Sequence, residues 1–238
     1  MPAERYFFEG DLSLSQHLLL TDQEFHHLAH VMRLRDGEGV EIVNGHGLLA
    51  MAKILKIEKK QATLEVTHLL EEPPPKFEVI LAQAIPRINR FDFILEKGTE
   101  LGMTQIWIYP GEYSERKQLN QHQLERSKAI LIAAMKQCGR LWLPEIVIKP
   151  PLLEWQENIN FSAYFGDVSP NAPSFAPLWA QEKDRKRDVI FFIGPEKGFN
   201  EKEENYLKKL GATGVKLHKN ILRTDTAPLV ALSLVTTL

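Results

Sequence analysis

The sequence predicts an α/β protein in two parts, a small barrel-like β domain over residues 1–72 and a parallel-sheet α/β domain over residues 73–238. Three observations predict it. The run Glu71-Glu-Pro-Pro-Pro-Lys-Phe77 cannot continue a helix or a central strand and forms a stiff spacer. Before it, short strand-like runs follow one another with a Gly45-His46-Gly47 turn between two of them. After it, strand and helix patterns alternate, as in a parallel sheet.

Taken in order, strands are predicted at Arg5–Phe8, Val40–Asn44, Leu48–Ile57 and Gln61–Leu70. A helix is predicted from Asp22 to Met32, with Thr21 as its cap and Glu24 closing a capping box. In the larger part, Phe77–Ala84 and Thr104–Tyr109 read as strands around a helix at Phe91–Leu101, and Leu124–Cys138 reads as a long helix stopped by Gly139. Further strands are predicted at Glu145–Ile148, Ala163–Gly166, Val189–Ile193 and Gly214–Leu217. Asn200 and Glu203 form a capping box for the helix Glu201–Leu210. Residues 168–187, dotted with proline and then charged, read as a surface excursion. The apolar run Leu229–Leu238 reads as a buried helix or an oligomer contact.

The chain has 238 residues, 44% of them hydrophobic and 25% charged, which is the composition of a globular protein. Its single cysteine, Cys138, excludes an internal disulfide and points to a reducing cytoplasm. Neither a membrane-spanning run nor an apolar signal region is visible after Met1-Pro-Ala-Glu-Arg5, so a cytoplasmic location is expected. Net charge is −2, which argues against a general basic field for nucleic acid. The balance is uneven, with 7 Lys/Arg against 12 Asp/Glu before residue 73 and 22 against 19 after it. Any RNA contact must use local patches.

Two loops carry the candidate chemistry. Ile193-Gly-Pro-Glu-Lys-Gly-Phe199 joins a strand to a helix, and Leu217-His-Lys-Asn-Ile-Leu-Arg-Thr-Asp-Thr-Ala227 does so again. Loops at the carboxyl ends of strands are where an open α/β sheet holds its ligand. Taken alone, the first is an ordinary strand-to-helix turn, and the hydroxyls and carboxylate of Thr224, Asp225 and Thr226 are explained by capping of the last helix. Arg223 is not, because its charge is costly among such apolar neighbours unless paired. Neither a GxxxxGK[ST] nor a GxGxxG spacing is present.

Together the two loops resemble the signature of the RsmE family, SPOUT-class methyltransferases that modify N3 of a uridine in small-subunit (16S) ribosomal RNA. Arg5-Tyr-Phe, His27-Leu-Ala-His-Val-Met-Arg33, Glu96-Lys-Gly-Thr-Glu-Leu-Gly102 and Gln137-Cys-Gly-Arg140 are similar to further family landmarks. The resemblance implies a PUA-like RNA-binding domain over residues 1–72 and a SPOUT domain with a C-terminal trefoil knot over residues 73–238. It implies a homodimer and S-adenosylmethionine as cofactor. The cofactor would lie against Phe165, Gly166, Ile193, Gly194, Pro195, Glu196, Gly198, Leu217, Ile221, Leu222, Arg223, Thr226 and Ala227. Three positions depart from the family pattern: Lys197 stands for the second glycine of GPEGG, His218 for a glycine, and Asp225 for a glutamate. If Lys197 and His218 needed positive φ, each would cost about 1–3 kcal/mol.

The imide N–H of uracil N3 is a poor nucleophile while protonated. Arg223 is the candidate to stabilise charge developing on the flanking carbonyls, and Asp225 or Glu100 to take the proton. A helix-surface charge explains Glu100 equally well. Arg5, Arg33, Arg35, Arg87, Arg90 and Arg140 are the expected RNA contacts, the substrate being 16S rRNA within the small ribosomal subunit. His26 and His30 share a helix face, yet no third ligand accompanies them, so no metal is expected. Three rival readings stay open: a SPOUT enzyme with another RNA target, an RNA-binding relative without a cofactor, and a nucleotide-phosphate binder.

Overall fold

The computed structural model describes residues 4–156, 161–182 and 188–237. The readings of Met1–Ala3, of the charged end of the 168–187 stretch and of Leu238 lie outside them. The chain divides into two compact units, residues 1–74 with 132–143, and residues 75–131 with 144–238.

In the first unit, β1 (Arg5–Phe7), β2 (His17–Leu20), β3 (Gly39–Val43), β4 (Leu48–Ile57) and β5 (Ala62–Glu71) form one sheet in the order β1-β3-β4-β5-β2. Only β1 and β3 run parallel. Alternate residues point inward, so Val40 and Ile42 of β3, Ala50, Ala52 and Ile54 of β4 and Leu64 and Val66 of β5 build the core with Tyr6, Phe25 and Leu28. β2 was not expected from the sequence. Its triple leucine shows no alternation, although Leu18 and Leu20 are buried and Leu19 is exposed.

The helix predicted at Asp22–Met32 is composite: α1 (Asp22–His26) continues as a single π-helical turn, His27–Val31. Its predicted capping box is absent. Asp22 takes φ +50°, and the Thr21 hydroxyl donates to the Asp22 carboxylate at 2.8 Å instead of accepting from the helix. Glu24 pairs with Lys136 at 2.5 Å. A tertiary partner has displaced a local one.

The second unit is a six-stranded, all-parallel sheet in the order β11-β9-β10-β6-β7-β8. The strands are β6 (Val79–Ala84), β7 (Gln105–Tyr109), β8 (Glu145–Ile148), β9 (Ser162–Gly166), β10 (Val189–Ile193) and β11 (Thr213–Val215). β10 is buried throughout and β6 after its first residue, as expected of parallel strands covered on both faces. The helices are α2 (Ile88–Glu100), α3 (Gln121–Cys138), α4 (Phe175–Glu182), α5 (Glu201–Lys209) and α6 (Ala227–Thr237). Residues 132–138 of α3 cluster with the first unit.

α4 corrects the reading of residues 168–187 as a surface excursion. Phe175 and Trp179 are buried, and Phe175 stacks edge-on against Tyr164 of β9 and Phe191 of β10. Proline hid the helix: Pro177 sits in the first turn, where a missing N–H costs nothing. In α6, Pro228, Ala231 and Leu232 are buried, while Ala227, Leu229, Val230, Leu234 and Val235 are only partly so. Chain order moves outward along β6, β7 and β8, then returns on the other side of β6. That switch point places the loops after β9, β10 and β11 around one crevice at the carboxyl edge.

Candidate cofactor cavity

The crevice is a cavity of about 460 Å³. It is lined by the loop after β9 (Gly166–Val168), the loop after β10 (Ile193–Phe199), and the chain from Val215 to Thr224 with Ala227. Arg90 of α2 completes it.

The first loop is fixed by backbone geometry. A Cβ on Gly194 would lie 3.0 Å from the Gly198 carbonyl carbon and 3.1 Å from the Phe199 nitrogen, because the loop folds back on itself. Gly198 takes φ +76° and donates its N–H to the Pro195 carbonyl at 2.9 Å. At the far end α5 carries the predicted capping box: Asn200 accepts from the Glu203 N–H, and Glu203 accepts from the Asn200 N–H. The second oxygen of the buried Glu203 carboxylate accepts from the Glu112 N–H at 3.0 Å, tying in the loop after β7. The Tyr109 hydroxyl donates to the Ile193 carbonyl at 3.3 Å. Burial of Tyr109, reinforced by the Glu203 charge, pushes its pKa well above the ordinary phenol value.

The second loop is pinned differently. Asn220 donates its N–H to Nδ1 of His218 at 3.1 Å, and Lys216 pairs with the chain on both sides of Ser174. The capping reading of Thr224 is overturned: its buried hydroxyl donates to the Gly194 carbonyl at 2.8 Å, so it links the two loops. Lys197 and His218 do not adopt positive φ; in the first loop that conformation is taken by Gly198. The strain cost considered for the two departures does not arise.

Floor and rim differ in chemistry. Ile193, Gly194, Pro195, Val215 and Thr224 are buried beneath the cavity. At the rim Lys197, His218, Lys219, Ile221 and Arg223 are exposed, Ile221 to 80%. Arg90 lies 3.8 Å from the Glu196 carboxylate of the first loop and 4.0 Å from Asp225 of the second. Glu196 also accepts the Arg87 N–H at 3.1 Å.

Of the residues named from the sequence for the cofactor, all but two line the cavity. Phe165 is fully buried on β9 beside Gly166, and Thr226 is exposed with its hydroxyl 3.5 Å from Asp225. Arg223 stands at the rim with no ion pair among the described residues, its exposure removing the burial cost expected for it. Asp225 reaches the cavity's edge only through Arg90. Glu100 is not brought there. It pairs with Lys97 at 2.7 Å, ten residues and roughly 15 Å of helix beyond Arg90.

The six arginines proposed for RNA are placed unequally. Arg33, at φ +56°, and Arg35 are exposed. Arg5 is tied to Glu41 at 2.7 Å with its side chain only 11% exposed, and burial lowers the pKa of Arg140. Arg87 is exposed but paired with Glu115 at 2.6 Å, and Arg90 is the loop bridge. The sequence reading missed Asp167, Phe199, Lys216 and Gln83. Asp167, next after Phe165-Gly166, was one residue away, whereas nothing in the strand pattern of Gln83 announces a partner 141 residues on. Among the described residues, no three His, Cys, Asp or Glu side chains converge as metal ligands, and no helix is long and apolar enough to cross a membrane.

The cavity fits S-adenosylmethionine. Its volume lies in the ~300–1,000 Å³ range of small-molecule sites. Glycine backbone at Gly166, Gly194 and Gly198 permits close approach, the floor is apolar, and Asp167 and Glu196 face the cavity as acceptors for hydroxyl and ammonium groups.

Residues 72–236 match the RNA methyltransferase domain family, and residues 20–67 match the RNA methyltransferase PUA domain family. Ribosomal RNA small subunit methyltransferase E of Buchnera aphidicola is 29% identical over 98% of this chain and 93% of its own. The Synechocystis protein of that name is 30% identical over 90% of this chain and 71% of its own. A Legionella pneumophila protein solved with the cofactor SAM bound superposes with TM-score 0.87 at 26% identity, covering 100% of this chain and 98% of that one. Ribosomal RNA small subunit methyltransferase E from Neisseria gonorrhoeae, bound to S-adenosyl methionine, superposes with TM-score 0.86 at 28% identity, over 99% and 98%. This chain, with its SPOUT-type α/β fold and PUA-like N-terminal domain, therefore belongs to the RNA methyltransferase family and within it groups with ribosomal RNA small subunit methyltransferase E.

Proposed function

We propose that this chain transfers the methyl group of S-adenosylmethionine to N3 of a uridine in 16S ribosomal RNA, acting in the cytoplasm as a homodimer. The observation that carries the reading is the pairing of an apolar, glycine-walled floor with a basic rim, built by two loops at the carboxyl edge of the sheet. Its support is the full-length likeness to proteins named for methylation of small-subunit rRNA and solved with the cofactor bound. In this reading residues 1–72 are the RNA-binding domain and residues 73–238 the methyltransferase domain, with residues 217–227 forming the family's knot. The partly exposed apolar side chains of α6 supply the face for a second copy.

Bound in the cavity, S-adenosylmethionine supplies an electrophilic methyl. The protein's residues must then orient the base and let its N3 proton leave. Arg223, free and exposed at the rim, is placed to stabilise negative charge on the flanking uracil carbonyls. Asp225, held near Arg90, accepts the proton directly or through a water. The rim cations Lys197 and Lys219 join Arg33 and Arg35 as phosphate contacts. Orientation of the two reactants contributes up to about 7–11 kcal/mol.

Calorimetric titration with S-adenosylmethionine, using ATP as control, tests the reading. Saturable micromolar binding that ATP does not disturb is expected. Competition by ATP would favour a nucleotide-phosphate site. Absence of binding even with small subunits present would favour an RNA-binding relative without cofactor. Lys197 and His218, two of the three departures from the family pattern, carry no positive-φ strain.

A further inference from the structure

We infer that Gln83 is a positioning residue for the cofactor, a buried amide that holds the two cavity loops to each other and to the middle of the sheet. The inference rests on the reading of the cavity as an S-adenosylmethionine site. Gln83 occupies the next-to-last position of β6, the strand between β10 and β7. Its neighbours Leu81, Ala82 and Ala84 are fully buried and apolar, and Gln83 itself is 0% exposed. Leucine or methionine would fill such a site without the cost of desolvating an amide.

The amide faces the loops in a defined direction. Its Nε2 donates to the Ala84 carbonyl at 2.9 Å, which identifies the nitrogen, because an amide oxygen there would face a second oxygen. The same nitrogen lies 3.3 Å from Oγ1 of Thr224. Thr224 gives its own proton to the Gly194 carbonyl at 2.8 Å, so towards Gln83 it can only accept. A single hydrogen-bond chain therefore runs from β6 to the second loop and on to the first. Tyr109 of β7 holds the preceding carbonyl, that of Ile193. Two adjacent central strands each fix one of two consecutive carbonyls at the root of the first loop.

A residue kept for packing would satisfy its polar atoms or have none. Gln83 does neither, since its Oε1 is buried with no hydrogen-bond partner among the described residues. Its retained asset is the N–H that reaches Thr224. Loops so joined should order together, and the cofactor needs both ordered.

The test is cofactor affinity in Gln83→Met, Thr224→Val, their combination, and Thr224→Ser, read by calorimetry alongside hydrogen exchange over residues 193–199 and 217–227. Gln83→Met removes one buried hydrogen bond to the loops and should weaken S-adenosylmethionine binding about tenfold; Thr224→Val removes two and should weaken it further. The double variant should be within about twofold of Thr224→Val alone, because that variant already removes the bond Gln83 makes. Thr224→Ser, which keeps the hydroxyl, should bind as the wild type does, and exchange should rise in both loops whenever either bond is cut. Should Gln83→Met not fold, the contrast between Thr224→Val and Thr224→Ser decides. Unchanged affinity in a Gln83→Met protein that has merely lost thermal stability would overturn the inference. So would a double variant weakened by the product of the singles, or faster exchange in one loop only. Wild-type protein that fails to bind S-adenosylmethionine would refute the cavity's reading itself, and this inference with it.

Discussion

At the rim of the cavity Arg223 is exposed and free of any ion pair among the described residues, while at its floor Gly194 sits against backbone with no room for a side chain. In the proposed function these two positions separate chemistry from binding. Arg223→Ala removes an exposed cation with no ion pair among the described residues, so kcat should fall about 10²–10³-fold with the melting temperature little changed. Single-turnover methylation of small subunits measures it, and full activity would remove the charge-stabilising role. Gly194→Val drives its Cβ into the Gly198–Phe199 backbone, which flexible side chains cannot relieve. Loss of measurable S-adenosylmethionine binding is expected, and normal affinity by calorimetry would show the loop does not hold the cofactor. Sequence pattern pointed to both residues, which line the cavity, because their motifs are local. It could not identify the link between Thr224 and Gln83, which spans 141 residues and uses a side chain that local rules assign to a helix cap.

Element by element, prediction succeeded where the deciding contacts are close in sequence. The capping box of α5 needs only Asn200 and Glu203, and both hydrogen bonds form. An equivalent pattern at Thr21 and Glu24 fails because Lys136, 112 residues away, takes the glutamate. α4 was hidden by a proline, Pro177, that its first turn tolerates, and β2 by a leucine run without alternation. The α5 cap has a further consequence, since Glu203 also holds the loop after β7. Asn200→Ala should cost about 1 kcal/mol in stability. It should also loosen the loop from Gly194 to Phe199, raising the Kd for S-adenosylmethionine. Denaturant unfolding and calorimetry report the two effects, and a stability loss with unchanged affinity would confine the cap's role to the helix.

For the whole molecule, each compact unit buries a tyrosine whose pKa is raised. Burial is the main cause for both, with the charges of Glu4 and Glu24 adding to it at Tyr6 and that of Glu203 at Tyr109. A raised folded-state pKa means that the neutral phenol is favoured in the fold. Its contribution is therefore complete below the ordinary value of 10.0 and is lost as pH climbs towards the folded-state values. Unfolding free energy should be insensitive to these groups below about pH 10 and fall above it, and Tyr109→Phe should flatten part of that fall. A decline of equal steepness in the variant would assign the alkaline limit to other groups. The α/β character was readable from the strand–helix alternation and the two loops from their motifs, whereas the clustering of residues 132–143 with the first unit was not. Arg90 was not readable as a bridge, because only the assembled sheet brings Glu196 and Asp225 to either side of it.

Methyl transfer to the N3 position blocks the pairing edge of uracil, so reverse transcription stops at the modified nucleotide. Primer extension along 16S rRNA, after incubating unmethylated small subunits with the protein and S-adenosylmethionine, reads this directly. A stop at a single uridine that requires the cofactor and disappears with Arg223→Ala is expected. Cofactor-dependent methylation that leaves no stop at any uridine, or no methylation at all despite cofactor binding, would contradict uridine N3 transfer.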